Sequence, residues 1–154
     1  MLDAADRRLL DLLQRDATLT AQALGDALNL SPSQAARRRQ RLEQTGLIEG
    51  YGARVAARAA GLGVQAFVSV EMAVHDAAAA RGFARAMQAA PEVIAAWTLT
   101  GEADYLLHVV CADLSALNAL VHGTLLPHPA VARVRSRIVM DVLKSGAPLP
   151  IQSS

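Results

Sequence analysis

The chain has 154 residues, 53% of them hydrophobic and only 3% aromatic, with a formal net charge of +1. That length suits one domain or two small ones, and so apolar a composition excludes extensive disorder. One cysteine excludes an intrachain disulfide; the acid-bearing N-terminus does not read as a secretory leader; no apolar run is long enough to span a bilayer. A soluble, cytoplasmic protein is expected.

The pattern "LDAADRRLLDLLQRDATLT" predicts a first helix, with Asp3 as N-cap, Asp6 adding negative charge to the first turn, and Leu9, Leu10 and Leu13 on an apolar face. Residues 16–19 read as a connection. Thr20 then caps a short second helix, "AQALGDAL", which Asn29 ends in the left-handed conformation. Ser31 caps a third helix, Pro32 takes its first position, and Gln34 completes a capping box. Gly46 marks the far end, so this helix should run from about Pro32 to about Thr45.

Residues 51–63 are Gly-rich, with an extended pattern over 48–55, and predict a linker carrying a short strand. Beyond it, "VQAFVSVEMAV" alternates as strands do. "HDAAAARGFARAMQAAP" is helical and capped by Asp76; "EVIAAWTLT" and "DYLLHVVC" are strands joined at Gly101. "DLSALNALVHG" is a helix capped by Asp113 and closed by Gly123, and "AVARVRSRIVMDVLK" is a final strand. The fold class is therefore α+β: a helix-turn-helix domain over 1–50, the linker over 51–63, and a ferredoxin-like βαββαβ domain over 64–154. The antiparallel sheet would carry two helices on one face and leave the other for a partner subunit.

Charge is concentrated rather than abundant. Up to Ala60 there are nine arginines against seven acids, giving +2; the rest of the chain has six cations against seven acids, giving −1. Between Ser31 and Arg58, six arginines face two acids, giving +4. Four of those arginines occupy positions 37, 38, 39 and 41 of the third helix. At about 100° per residue, Arg37, Arg41, Gln34, Gln44, Ser33 and Gln40 share one polar face, opposite Ala35 and Leu42. Arginine donates twice to guanine and glutamine pairs with adenine in the major groove, so Ser33, Gln34, Arg37 and Arg41 are nominated for base edges. Arg38 on the flank suits a phosphate, as does Ser31 at the helix N-terminus. A merely solvated basic face is the competing reading, and the capped short helices weigh against it. Arg39 lies on the inward side, where its guanidinium must reach outward or find an acid.

The segments "LDAADRRLLDLLQRDATLT", "LSPSQAARRRQRLEQTGLIEGYGA" and "TGEADYLL", with the ending "LK…LPI", resemble the leucine- and asparagine-responsive (Lrp/AsnC) family of transcriptional regulators. The resemblance spans almost the whole chain. It implies an N-terminal helix-turn-helix that binds double-stranded DNA and a ferredoxin-like domain that binds a small effector, usually an amino acid. It also implies homo-oligomers, dimers assembling commonly into octamers, with the strand near 48–55 meeting its counterpart from a second subunit. The effector would lie by the loop between the second and third strands, at Thr100, Gly101, Glu102, Ala103 and Asp104, with Ser136 from the last strand as neighbour. Asp104 would meet an α-ammonium and backbone N–H groups a carboxylate. A plain hairpin turn is the competing reading of Gly101 and Asp104. Position 39 departs from the family pattern, which has a β-branched apolar residue there.

No cofactor is expected. His75, His108, His122 and His128 show no metal-ligand spacing with one another or with Cys111, and Cys111 and His108 read as core residues of an apolar strand. No catalytic set converges, so an enzyme is not expected. Two alternatives remain at this level: an amino-acid-sensing protein whose basic helix binds protein, and an enzyme built on the ferredoxin-like fold. Arg133, Arg135 and Arg137 alternate along the last strand and form its exposed side.

Overall fold

The computed structural model describes residues 2–73 and 76–151. The junction between the predicted first strand and the helix after it, at Val74 and His75, lies outside the described residues, as do 152–154. Two compact units are present, one formed by 1–54 with 143–154 and the other by 55–142.

The first unit is built on α1 (Ala4–Arg15), α2 (Ala21–Leu28) and α3 (Pro32–Gln44). Each helix begins at the residue whose chemistry predicts it. Asp3, Thr20 and Ser31 cap the three N-termini, and both Asp3/Asp6 and Ser31/Gln34 form reciprocal capping boxes. Asn29 ends α2 at φ 54°, and Gly46 follows α3 at φ 72°. Leu9, Leu10, Leu13, Leu24, Ala35 and Leu42 form the core, with Ile48 and Ile151 packed against it.

Ile151 belongs to a segment that was not expected here. Residues 143–151 return to the helices: Gln14 accepts the Leu149 N–H (2.5 Å) and donates to the Leu149 carbonyl, while Arg54 donates to the Gly146 carbonyl (2.6 Å). The turn between α2 and α3 depends on Gly25. A Cβ at this position would stand 2.8 Å from the Leu30 carbonyl oxygen and 3.2 Å from the Pro32 nitrogen, both backbone atoms. The chain folds back this tightly between α2 and α3 because that side chain is missing.

The second unit contains β1 (Val64–Met72), α4 (Ala77–Ala89), β2 (Val93–Thr98), β3 (Tyr105–Cys111), α5 (Leu114–Leu120) and β4 (Val131–Ile138). The sheet order is β2-β3-β1-β4, antiparallel throughout. Alternation sorts the residues. Ala66, Val68, Val70 and Met72 of β1, and Leu107, Val109 and Cys111 of β3, are buried with Phe83 and Met87 of α4 and Leu117 and Leu120 of α5. Gln65, Phe67, Ser69 and Glu71 occupy the opposite face, cross-strand from His108, Leu106 and the arginines of β4.

Several expectations are corrected. No strand forms over 48–55 in the single chain, because an extended segment needs a ladder partner and none lies beside it among the described residues. Gly123 does not close α5; the chain continues through a π-helical turn, Val121–Leu125, that buries Leu125. The last strand stops at Ile138. Cys111 is buried as expected, and burial raises its thiol pKa. His108 is satisfied but not in the core: it stacks on Phe67 at 4.9 Å and meets the Gln65 amide at 2.7 Å on the helix-free face, where burial lowers its pKa.

Replacing Gly25 by Ala should destabilise the helical unit by about 1–3 kcal/mol, since the obstructing atoms are backbone and cannot swing aside. Thermal unfolding followed by far-UV circular dichroism measures it; an unchanged transition would mean the turn has slack.

Candidate nucleic-acid interface and effector loop

The third helix carries its charge in two different ways. Arg37 is exposed and takes part in none of the ion pairs found among the described residues. Arg38 and Arg41 turn instead toward α1. Arg38 Nη1 donates to Asp3 Oδ2 (2.6 Å) and to Asp6 Oδ1 (2.8 Å), and Arg41 Nη2 donates to Asp6 Oδ2 (2.6 Å). Asp6 is 1% exposed, so a buried carboxylate has each oxygen occupied by a guanidinium. Such a charge is tolerable only when fully paired, and these pairs fix α3 on α1.

This arrangement changes the nominations for Arg38 and Arg41. The helical projection alone points them outward, to a phosphate and to a base edge; in the structure both bond to α1, though half of Arg41 remains exposed. The helical projection gave each residue's azimuth correctly but could not show an acid on another helix. Asp6, read as a first-turn charge only, is the residue that sequence reasoning missed.

The remaining nominees stay on the surface. Ser31, Ser33 and Gln34 are exposed at the N-terminus of α3, with Ser31 Oγ accepting the Gln34 N–H and lying 3.0 Å from Ser33 Oγ. Gln34 Oε1 accepts the Ser31 N–H, so its carbonyl end is committed to the cap. Gln40 and Gln44 are exposed farther along. The outward surface thus consists of one free arginine among amides and hydroxyls.

Arg39 meets both expectations at once. It reaches outward from the seam and finds an acid: Nε donates to Glu43 Oε1 and to the Tyr51 hydroxyl, each at 3.1 Å, and Nη1 donates to the Leu19 carbonyl at 3.2 Å. Burial opposes its charge, but the bonds to Glu43 and Tyr51 win and raise its pKa.

In the second unit, the loop 99–104 is anchored to the end of β1. Asp104 donates its N–H to the Val70 carbonyl, accepts the Leu99 N–H on its own carbonyl, and accepts the Met72 N–H on Oδ2 at 2.7 Å. Gly101 sits at φ 119°, a conformation that favours glycine. Thr100 is exposed, and Glu102 reaches Arg135 at 3.6 Å. Ala103 is half-buried. Ser136 is not brought to the loop within the chain. It pairs with Val68 and so shares the helix-covered face, whereas Arg135, which does meet the loop, lies on the other. Beside the loop is a concavity of about 360 Å³ whose walls include Met72, Thr98, Leu99, Asp104 and Tyr105.

A capped three-helix unit with a polar reading helix, joined to a βαββαβ unit, defines a DNA-binding regulator with a sensing domain. Residues 2–49 match the winged helix-turn-helix DNA-binding model, and residues 65–149 match that of the Lrp/AsnC ligand-binding domain. The chain is 36% identical to the DNA-binding transcriptional activator DecR of Escherichia coli, over 99% of this chain and all of that one. It is 31% identical to the regulator AldR of Mycolicibacterium smegmatis, over 96% of this chain and 86% of that one. Among solved structures it superposes on a Neisseria meningitidis transcriptional regulator in complex with L-Met, with a TM-score of 0.93, 35% identity, and coverage of 98% and 97%. The chain belongs to the Lrp/AsnC family of transcriptional regulators, whose members are DNA-binding proteins and not enzymes. No helix among the described residues is long and apolar enough to cross a membrane.

Asp6→Asn should destabilise the helical unit by about 2–3 kcal/mol, below the full cost of breaking a buried ion pair because the freed guanidiniums can reach water. Denaturant titration checks this. A pH dependence follows from two other carboxylates. The Asp6 N–H and then Arg38 lower the pKa of Asp3 below 3.8, and the Tyr51 hydroxyl and then Arg39 lower that of Glu43 below 4.5. Their contribution is complete above those ordinary values and disappears as pH falls through the lower folded ones. Stability measured against pH should therefore fall on the acid side, less steeply in Asp3→Asn.

Proposed function

We propose that this chain is a homo-oligomeric, sequence-reading regulator in which Arg37 and the N-terminal turn of α3 read the major groove and an amino acid is the effector. The division of the arginines carries this reading: Arg38 and Arg41 are held by Asp6, while Arg37 projects unpaired among Ser33, Gln34, Gln40 and Gln44. A bidentate arginine among amides is a surface that distinguishes guanine and adenine. Ser31 and the helix N-terminus approach a phosphate. The capping box takes the Ser31 and Gln34 N–H groups and Pro32 has none, so the Ser33 N–H is the first-turn amide left for that role.

The effector engages the loop Thr100–Asp104. Support comes from the positive φ of Gly101, from the concavity beside the loop, and from the neighbouring structure that holds L-Met. Asp104 orders the loop through Met72, and the ligand meets the strand ends and backbone that it fixes. A second copy covers the helix-free sheet face, where Trp97 is 47% exposed and Phe67 and His108 lie flat against each other. Because that face mixes rings with Glu71 and the β4 arginines, a partner must match charges as well as apolar area. Ser136 then serves a loop of a neighbouring copy.

Arg37→Ala should relax base preference at one position and cost about 1–3 kcal/mol on the preferred duplex, with little effect elsewhere. Selection from a randomised duplex pool measures the preference, and an unchanged profile removes Arg37 from the readers. Wild-type affinity should fall steeply with salt as phosphate counterions are released. For the effector, a thermal-shift series over the twenty amino acids should single out one or a few by a raised melting temperature. A flat series would sink the amino-acid assignment.

A further inference from the structure

Arg39 sits where three stretches of chain converge. Its own helix supplies Glu43, one turn further on; the connection between α1 and α2 supplies the Leu19 carbonyl; and the chain leaving the helical unit supplies Tyr51. The Tyr51 hydroxyl donates to Glu43 Oε1 at 2.8 Å, closing a triangle, and the Arg39 guanidinium carbon lies 4.7 Å from the centroid of the Tyr51 ring. A planar, multiply donating cation is satisfied in this geometry by hydrogen bonds at its edge and by the ring against its face.

We propose that Arg39 is a positioning residue for DNA reading, with Tyr51 as its partner, and that together they set the azimuth of α3. Asp6 holds the flank of α3 through Arg38 and Arg41, with Asp3 as a second acceptor for Arg38, and all of these bonds run to the first turn of α1, on one side of α3. Arg39 lies on a different side of the helix, about 100° on from Arg38, and adds restraints toward Leu19 and Tyr51. Two anchorages on different sides stop the helix from rolling, and rolling is the motion that would swing Arg37 away from a base edge. An apolar side chain in the same place would fill the seam beside Ala35 and Leu42 without fixing the roll, because packing is not directional. Arg39 itself is turned from the reading surface and touches no DNA in this scheme.

The inference rests on α3 being the reading helix, and the test separates the two. The full-length chain and its Arg39→Leu, Arg39→Lys, Tyr51→Phe and Arg39→Leu/Tyr51→Phe variants are each used to select from a randomised duplex pool. Each is then titrated, over a series of salt concentrations, against the wild-type-selected duplex and a scrambled one, with thermal unfolding in parallel. Arg39→Leu should lower the ratio of specific to non-specific affinity about tenfold and broaden the selected profile, while the slope of affinity against salt stays as in wild type. Arg39→Lys should not rescue the ratio, because a point charge cannot hold three acceptors in one plane. Tyr51→Phe, which keeps the ring and the fold, should lower the ratio about threefold, and the double variant should fall no further than Arg39→Leu alone. Should Arg39→Leu fail to fold, Tyr51→Phe carries the same comparison. A changed melting temperature with an unchanged ratio overturns the inference and makes Arg39 structural only. A salt slope shallower by about one also overturns it, since Arg39 would then be touching a phosphate. A wild-type chain that enriches no duplex overturns the reading of α3 itself.

Discussion

A buried carboxylate organises the DNA-binding unit. Asp6 is sealed from water, and the structure satisfies it with two guanidiniums 32 and 35 residues later in the chain. Once that charge is buried, α3 cannot move away from α1 without leaving it uncompensated, which is far costlier than losing an exposed ion pair. The apolar core of this unit is small, six buried side chains in the main cluster, so directional bonds do much of the work of fixing its geometry. Consequently the charge on α3 is a poor measure of what DNA sees. Of the four arginines, two serve Asp6, one serves the joint at Tyr51, and one is left for the surface.

The sensing unit divides its polar groups by strand alternation instead. One sheet face is closed by α4 and α5 and is wholly apolar at its centre; the other carries Phe67 and His108 beside Glu71, Arg133 and Arg135. The loop after β2 joins both aspects of the sheet. Asp104 ties it to the last residue of β1, at the point where the β1–β4 register shifts, and Glu102 links it to β4 through Arg135. A ligand that moved this loop would therefore act on the central strand and on an edge strand together, by short and specific contacts.

Much of this was legible in the sequence because it is local. Helix starts at Asp3, Thr20, Ser31, Asp76 and Asp113 are dictated by a side chain reaching an amide three residues on, and every one of them forms. Strand alternation gave the βαββαβ order. What stayed hidden was whatever depends on a distant partner. The projection of α3 put Arg38 on a flank and Arg39 inward, both correct, yet nothing nearby in sequence names Asp6, Leu19 or Tyr51 as their acceptors. The return of 143–151 to α1 is likewise a long-range event, made by Gln14 and Arg54 bonding to backbone groups that carry no sequence signature. The strand over 48–55 fails for the same reason in reverse: its pattern is extended, but no ladder partner lies beside it among the described residues.

Arg39 lies on the inward side of the helical projection, beside Ala35 and Leu42, where an unpaired guanidinium would be costly. The contacts show why the fold accepts it. The side chain is half-buried, and its guanidinium emerges onto Glu43, Tyr51 and the Leu19 carbonyl. Desolvation is partial, since 28% of the side chain remains exposed, so the cost of the charge is low relative to a fully buried cation. In exchange, non-directional packing gives way to a joint with defined angles. Fixed azimuth matters more to the exposed face of α3 than additional apolar area would, because a rotation of one residue's worth, about 100°, would carry Arg37 from that polar face onto the flank.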